Sequence, residues 1–378
     1  MTRPWLLVSG DFSRFGGMDC ANHALALHLL STGREVHLVT HRADDDLAKR
    51  GAIVHRARRP FGSHALGMPF LASAGRHRAR QLARRRARVI CNGGNCAWRG
   101  VNWVHFLHAA AAGATPAAGA QRLLADAQRA YVLRHERDAI TRSAAVVCNS
   151  ERTKRDVQEQ LGVDAGRVSV IYYGIDAARF GPIRAEQRQQ ARAALGMDAL
   201  KPAALFIGAL GDRRKGFDLL FDAWRALCQD DRWDVDLIVA GHGRELPAWR
   251  RRAGTASLDR RMRFLGFRRD VETLLAAADV VVHPARYEAY GLGVHEGLCR
   301  GVPAIVTSHA GVAERYPEAL RPLLLRSLSA DALMDRLRAW RDDTEGWRAR
   351  TAPLGAALRA RTWDVMSEEI AERAERDE

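Results

Sequence analysis

The chain has 378 residues, enough for two domains of ordinary size with a hydrophobic core in each. Its hydrophobic share of 47% fits a globular protein, and no apolar run reaches the roughly 18 residues that a membrane-spanning helix needs. The net charge is +15, yet no helix-turn-helix, zinc-finger or RNA-binding signature accompanies it, so nucleic acid is not an expected partner.

In the first half, short apolar strands are predicted at Trp5 to Val8, Glu35 to Thr40, Ala52 to His55, Arg88 to Cys91, Asn102 to Phe106 and Ala144 to Cys148. They alternate with helical stretches, which is the pattern of βαβ units on a parallel sheet. The turn Phe12-Ser-Arg-Phe-Gly-Gly-Met-Asp follows the first strand and precedes a helix from Asp19 to Leu30. Gly16 and Gly17 would let backbone N–H groups approach a phosphate there. The turn is not Gly-x-Gly-x-x-Gly, which argues against a nicotinamide cofactor. Asp44-Asp-Asp46, in a polar loop, reads as a solvated helix cap rather than a metal site. The apolar stretch from Ala65 to Ala72 leads into seven arginines and His77 between Arg76 and Arg88. Three readings stand for that segment: contact with anionic lipid, a solvated helix whose arginine stems cover apolar surface, or recognition of a charged acceptor. His105 and His108 fall at the end of the fifth strand, where either could bind a hydroxyl or help to deprotonate it. A long amphipathic region, Ala117 to Ile140, follows. After a strand from Val168 to Tyr173, the turn-rich Gly174 to Ile183 reads as an interdomain linker, dividing 1–178 from 179–360, with 361–378 as a closing helix.

The second half repeats the alternation at Ala203 to Ile207, Asp236 to Ala240, Met262 to Leu265, Val280 to His283, Ala304 to Thr307 and Leu323 to Leu325, a second doubly wound domain. Gly208-Ala-Leu-Gly-Asp-Arg-Arg-Lys-Gly leaves the first of these strands, and its cations could neutralise a departing diphosphate. Lysine occurs only at Lys49, Lys154, Lys201 and Lys215, so a compact ammonium in this turn stands out. Glu288 and Glu296 lie eight positions apart across a strand, a turn and the first turns of a helix. Ligand crevices open at the carboxyl ends of such strands, and carboxylates accept hydroxyl protons, so the pair suits a sugar or a ribose.

Taken in order, these segments resemble the retaining family-four glycosyltransferases of the GT-B fold, over nearly the whole length. The resemblance runs through Phe15-Gly-Gly-Met-Asp, Val147-Cys-Asn-Ser-Glu, Val170-Ile-Tyr-Tyr-Gly-Ile-Asp, Arg214-Lys-Gly, Val239-Ala-Gly-His-Gly, Phe264-Leu-Gly-Phe, the two-glutamate segment and Gly301-Val-Pro-Ala-Ile-Val. It implies an α/β protein of two Rossmann-like doubly wound domains facing a cleft, the first holding the acceptor and the second a nucleotide sugar, with Trp363 to Glu375 returning to the first. By resemblance, Glu296 meets the ribose, Glu288 the donor sugar, and the backbone of Tyr290, Gly291, Leu292 and Gly293 the sugar and phosphate. The backbone around Phe267 frames the base. The turn from Gly208 supplies Lys215 and Arg214 to the diphosphate, and Gly16 and Gly17 approach it from the other side. Leu210 stands where many relatives have an arginine, so Arg213 or Arg214 must take over. On the acceptor side His105 is the first choice, with His108 and Asp19 beside it. Gly311 and Glu314 match part of a loop near the donor.

The expected activity is transfer of a hexose, from a UDP-sugar in preference to a GDP-sugar, to a hydroxyl of a glycan, glycolipid or small molecule. Neither a metal nor a separate cofactor is expected. Cys20, Cys91, Cys96, Cys148, Cys228 and Cys299 show no zinc or Cys-x-x-Cys spacing and read as reduced thiols. The N-terminus has no signal-peptide pattern, so the expected location is the cytoplasm, with peripheral contact on the inner membrane face through the Arg76–Arg88 segment. Two alternatives remain at this level: a nucleotide-sugar 2-epimerase of the same fold, and a non-enzymatic scaffold bound to membrane or nucleic acid.

Overall fold

The computed structural model describes residues 3–111 and 120–376. The chain divides into two compact units, Met1–Gly174 with Arg361–Glu378, and Ile175–Ala360. In the first unit the strands are β1 (Trp5–Val8), β2 (Asp11–Phe12), β3 (Val36–Thr40), β4 (Arg42–Ala43), β5 (Ile53–Arg56), β6 (Arg88–Asn92), β7 (Val101–Val104), β8 (Ala145–Cys148) and β9 (Val168–Val170). All but β2 and β4 form one parallel sheet in the order β5-β3-β1-β6-β7-β8-β9. Every residue of β1, β7 and β8 is buried, as continuous apolar runs covered by helices on both faces must be. The short parallel pair β2 and β4 has no hydrophobic alternation to announce it; its register is Asp11 with Arg42 and Phe12 with Ala43. The amphipathic region gives the helix Ala120–Thr141, and residues 117–119 of that expectation lie outside the described residues.

The second unit holds β10 (Ala203–Ile207), β11 (Asp236–Ala240), β12 (Met262–Gly266), β13 (Val280–His283), β14 (Ala304–Thr307) and β15 (Leu324–Leu325), in the order β12-β11-β10-β13-β14-β15. Its core joins Phe206, Phe217, Phe221, Trp224 and Trp249 with Leu298, Leu337, Trp340 and Leu358 in one cluster.

The seam between units falls at Gly174, a few residues before the expected one. A Cβ on Gly174 would lie 2.2 Å from the carbonyl oxygen of Thr362 and 2.6 Å from the nitrogen of Trp363. Glycine therefore lets the departing chain pass against the segment that starts the last helix, Trp363–Arg376, within the same unit. That helix buries Met366, Ile370, Ala371 and Ala374, and its Asp364 and Glu368 reach His28 of the helix Gly17–Ser31 at 3.2 and 2.8 Å.

Gly174→Ala should push these two segments apart and lower the stability of the first unit by about 2 kcal/mol. Urea unfolding followed by tryptophan fluorescence would read this, and an unchanged midpoint would show that the approach tolerates a methyl group.

Candidate functional site

In the second sheet the chain works outward from β10 through β11 to β12, then returns to lay β13, β14 and β15 on the other side. β10 and β13 are thus neighbours whose following loops turn opposite ways, the switch point at which such sheets open a ligand crevice. The loop after β10 is fixed first against the loop after β11. Gly208 N–H donates to Ala240 O at 3.0 Å and Leu210 N–H to His242 O at 3.0 Å. A Cβ on Gly241 would fall 1.8 Å from Gly208 O, and one on Gly243 would fall 1.6 Å from Leu210 O. Both glycines are required by this approach. Leu210 is itself buried in the core, which explains why a side chain here cannot serve the crevice.

The chain then makes the 3₁₀ turn Arg213–Lys215, capped by Asp212, whose side chain accepts from Arg214 N–H at 3.0 Å. Gly216 ends it at φ 71°, and a Cβ there would sit 2.0 Å from Pro284 O. The turn is pressed onto the loop after β13, and Arg286 N–H donates to Arg214 O at 2.7 Å. Lys215 Nζ consequently lies 2.7 Å from Glu288 Oε2, and His283 Nε2 approaches the same oxygen at 2.7 Å. The Lys215 and Glu288 side chains are 19% and 12% exposed, so the pair is largely shielded from water. Burial alone would raise the Glu288 pKa, but the Lys215 ammonium and the His283 hydrogen bond outweigh it and hold the carboxyl well below the usual carboxylate range. His283 is a residue that sequence reasoning missed; its signal is a histidine ending a wholly apolar strand directly before a proline.

Of the neighbouring cations, Arg213 turns to Asp218 at 3.2 Å, which it shares with Arg286, and Arg214 folds back on Asp212 at 2.8 Å. The structure thus brings Lys215 to Glu288 and leaves both arginines on acidic side chains of their own locality.

Gly291, at φ 105°, turns the chain into the helix Leu292–Cys299. Its neighbours are clamped: Gly311 N–H donates to Glu288 O at 3.2 Å and Val312 N–H to Tyr290 O at 2.7 Å. The Tyr290 ring is buried, its hydroxyl 2.7 Å from His295 Nδ1, so this residue offers only backbone to a ligand. The first N–H groups of the helix, including those of Leu292 and Gly293, have no intrahelical acceptor. Glu296 stands one turn further on, and burial pushes its carboxyl up to about 8, with Glu272 adding to the rise and Arg179 opposing it. The two glutamates are therefore set on opposite sides of neutrality by their surroundings. Phe267 follows β12 with its ring 66% exposed. Phe267, Gly208, Lys215, Glu288 and Glu296 all come from the carboxyl edge of this one sheet.

In the first unit the switch point lies between β1 and β6. Gly16, exposed and at φ 91°, precedes the helix Gly17–Ser31, so the glycine turn presents a helix start as expected. Asp19, in its first turn, is raised to about 6 by burial and by Asp11, against the pull of Arg42 and Arg59. His105 is 4% exposed. Its Nδ1 lies 2.5 Å from the Tyr173 hydroxyl and its Nε2 3.4 Å from Asn22 Oδ1, while Asn149 holds both its carbonyl and Tyr173. Burial holds the His105 ring down to about 3, so it is neutral. His108, in contrast, is exposed beside the buried Glu136.

Asp44 does occupy the N-cap position of a helix, Asp45–Lys49, but its side chain makes no cap hydrogen bond. The carboxylate turns instead to the backbone N–H of Arg14 at 2.9 Å, while the Arg14 guanidinium takes Asp46 at 2.7 Å. Folding also brings His23 to this place, so that His23, Asp44 and Asp46 present ligand atoms within 4.8 Å of one another. These three could hold a cation; in the structure Arg14 supplies the positive charge.

Two doubly wound parallel-sheet units of this kind, with a cation, a carboxylate and a helix start at the second switch point, define the GT-B class. The chain belongs to the family-four, group 1 glycosyltransferases: residues 15–179 match the model of "Glycosyltransferase Family 4" and residues 201–343 that of "Glycosyl transferases group 1". It is 33% identical over 236 residues to the lipopolysaccharide core biosynthesis mannosyltransferase LpsB of Rhizobium meliloti, covering 59% of this chain and 61% of that protein. It is 27% identical to D-inositol 3-phosphate glycosyltransferase of Jonesia denitrificans, covering 61% of this chain and 56% of the relative. The chain therefore spans about three fifths of the length of these curated relatives. Among solved structures, WaaG, a glycosyltransferase involved in lipopolysaccharide biosynthesis, has the same fold with a TM-score of 0.78, 18% identity and coverage of 98% and 99% of the two chains. Anabaena HepE in complex with UDP and glucose superposes with a TM-score of 0.72 at 18% identity, over 99% and 100% of the chains.

Lys215→Met tests the cluster without any ligand. Glu288 has its folded pKa below its ordinary value of 4.5, so its pairing stabilises the fold above about pH 4.5 and is lost as pH falls further. The variant should be about 3 kcal/mol less stable at pH 7, with the gap narrowing below about pH 4.5. A gap independent of pH would show that the ammonium contributes only packing.

Proposed function

We propose that the chain is a retaining glycosyltransferase that moves a hexose from a nucleoside diphosphate sugar to a hydroxyl of a glycan, glycolipid or small molecule. The observation that carries this is the convergence of Lys215 and His283 on one oxygen of Glu288, beside the start of the helix Leu292–Cys299. When the anomeric carbon–oxygen bond breaks, negative charge collects on the leaving phosphate. A fixed ammonium and free helix-start N–H groups stabilise that charge in a partly dry crevice. Glu288 spends Oε2 on Lys215 and His283, which leaves Oε1 to accept from a sugar hydroxyl. Glu296 takes the ribose hydroxyls, and the exposed Phe267 ring lies where a base can stack. Lys215 supplies the charge a divalent metal would otherwise bring, so the reaction needs no metal. A UDP-sugar is the first candidate donor, in keeping with the UDP complex of HepE. A GDP-sugar is the second, in keeping with the GDP-mannose-dependent mannosyltransferase of Corynebacterium glutamicum, 32% identical over 214 residues.

The test is release of nucleotide from UDP-, GDP- and ADP-sugars with chelator present. One donor should be consumed by the native chain and not by Glu296→Ala. A carboxyl that titrates near 8 in the free protein accepts from two ribose hydroxyls only as the carboxylate, so binding must expel its proton at lower pH. Nucleotide affinity should thus fall by up to about tenfold per pH unit below 8, and Glu296→Gln should abolish that dependence. Failure of every nucleotide to bind would sink the donor assignment.

Among the described residues no helix is long and apolar enough to cross a membrane. A peripheral contact is a separate proposal. The helix His64–Ala83 exposes Leu66 and Phe70, the ring of Phe61 just before it is 98% exposed, and Arg80 and Arg84 continue the outward face. Arg78, Arg85 and Arg88 are engaged within the fold, on His55, Glu35 and Glu375, and so are not part of that face. Apolar rings beside exposed guanidinium groups fit an anionic bilayer surface. Vesicles containing phosphatidylglycerol should sediment the native chain, and Arg80→Glu with Arg84→Glu should weaken this about thirtyfold or more at low salt. Equal binding by the double variant would refute it.

A further inference from the structure

The loop that leaves β7 carries His108, whose side chain is 56% exposed, and beneath it lies the side chain of Glu136, only 1% exposed, on the helix Ala120–Thr141. Glu136 Oε1 accepts from the His108 backbone N–H at 2.9 Å and lies 2.8 Å from His108 Nδ1, and Oε2 accepts from Ala109 N–H at 3.0 Å. Both oxygens of a buried carboxyl are thus given to one short stretch of loop. With an acceptor on its Nδ1 side the ring carries its hydrogen there, which leaves the Nε2 lone pair outward. Phe106 packs edge-on against the ring at 4.9 Å.

The support behind the pair is as closely built. A Cβ on Gly94 would sit 3.2 Å from Glu136 Cα and 3.3 Å from its nitrogen, so the turn Gly93–Asn95 after β6 rests directly on the helix at this residue. Asn102 of β7 donates to Gly93 O at 2.9 Å and ties the same turn to the strand that launches His108. β6 borders the switch point of this sheet and β7 lies next to it, so the histidine emerges at the edge where a ligand crevice opens. His105, by contrast, has both ring nitrogens on buried protein groups.

We propose that Glu136 is a positioning residue that fixes His108 with Nε2 turned outward, and that this Nε2 accepts the hydrogen bond of the acceptor hydroxyl. The proposal rests on the transferase reading and gives the acceptor role to His108 in place of His105. A carboxyl behind the ring selects the tautomer, and with it the nitrogen that is left to accept. Among the described residues, Glu136 is the ionisable side chain in contact with that ring.

Two measurements test it on the full chain. In protein labelled with ¹⁵N-histidine, long-range proton–nitrogen spectra at pH 8 should show His108 protonated at Nδ1. Glu136→Gln, whose amide can either accept from Nδ1 or donate to it, should mix the tautomers. An Nε2-protonated ring in the native chain overturns the proposal. The second measurement is the rate of nucleotide release from the UDP-, GDP- or ADP-sugar that the native chain consumes, with water as the hydroxyl. His108→Ala should lower kcat at least about tenfold with the donor KM changed much less, and His108→Gln should recover part of the loss. Glu136→Gln should lower kcat in the same direction, again with the donor KM changed much less. Equal kcat in these variants, with the ring still protonated at Nδ1 in Glu136→Gln, would show that Glu136 merely braces the loop. If the native chain binds no nucleotide, the donor reading fails, and the tautomer measurement alone decides the geometry of the pair.

Discussion

A single carboxylate oxygen, Glu288 Oε2, organises the carboxyl edge of the second sheet. It is reached from the loop after β10 by an ammonium and from the end of β13 by an imidazole, each at 2.7 Å. The positive φ of Gly216 and its contact with Pro284, the Gly291 turn, and the clamp of Gly311 and Val312 onto Glu288 and Tyr290 are parts of one construction. A charge removed from water at this depth is tolerated only with partners in place, so the loops and the ion pair hold each other.

The contrast between the two glutamates follows from the same reasoning. Glu288 has cations at contact distance and stays ionised; at Glu296 burial outweighs the attraction of Arg179, whose guanidinium is 2.7 Å from Glu272. Identical side chains eight residues apart thus meet a ligand in different protonation states. One is a fixed negative charge, and the other is a carboxyl that can give up its proton when hydrogen-bond donors arrive.

Much of the fold was legible because buried parallel strands advertise themselves. Runs such as Ala203–Ile207 and Val280–His283 match their expected bounds, since a strand covered on both faces admits little but apolar residues. The two-residue strands β2 and β4 were not legible, having no room for a pattern. In the site, Lys215 and Glu288 could be read from their motifs, but side-chain partners could not. Nothing in the sequence says that Arg214 will fold onto Asp212, that His283 will join Glu288, or that Glu136 will meet His108 from 28 residues away. His105 illustrates the limit most clearly: a histidine at a strand end looks available, and only the Tyr173 and Asn22 side chains, distant in sequence, take it out of reach.

The pairing of the Gly208–Leu210 strand extension with Gly241–Gly243 has a kinetic and entropic side. Because the backbone of the first loop continues hydrogen bonding past the end of its strand, the turn that carries Lys215 is held on a short tether from a rigid base. Its ordering is accomplished during folding and does not recur at each encounter with ligand. Binding energy that a floppy phosphate loop would consume in becoming ordered remains available for discrimination between ligands. The two small loops also become a single heritable unit, since a side chain larger than hydrogen in one would have to be met by a retreat of the other.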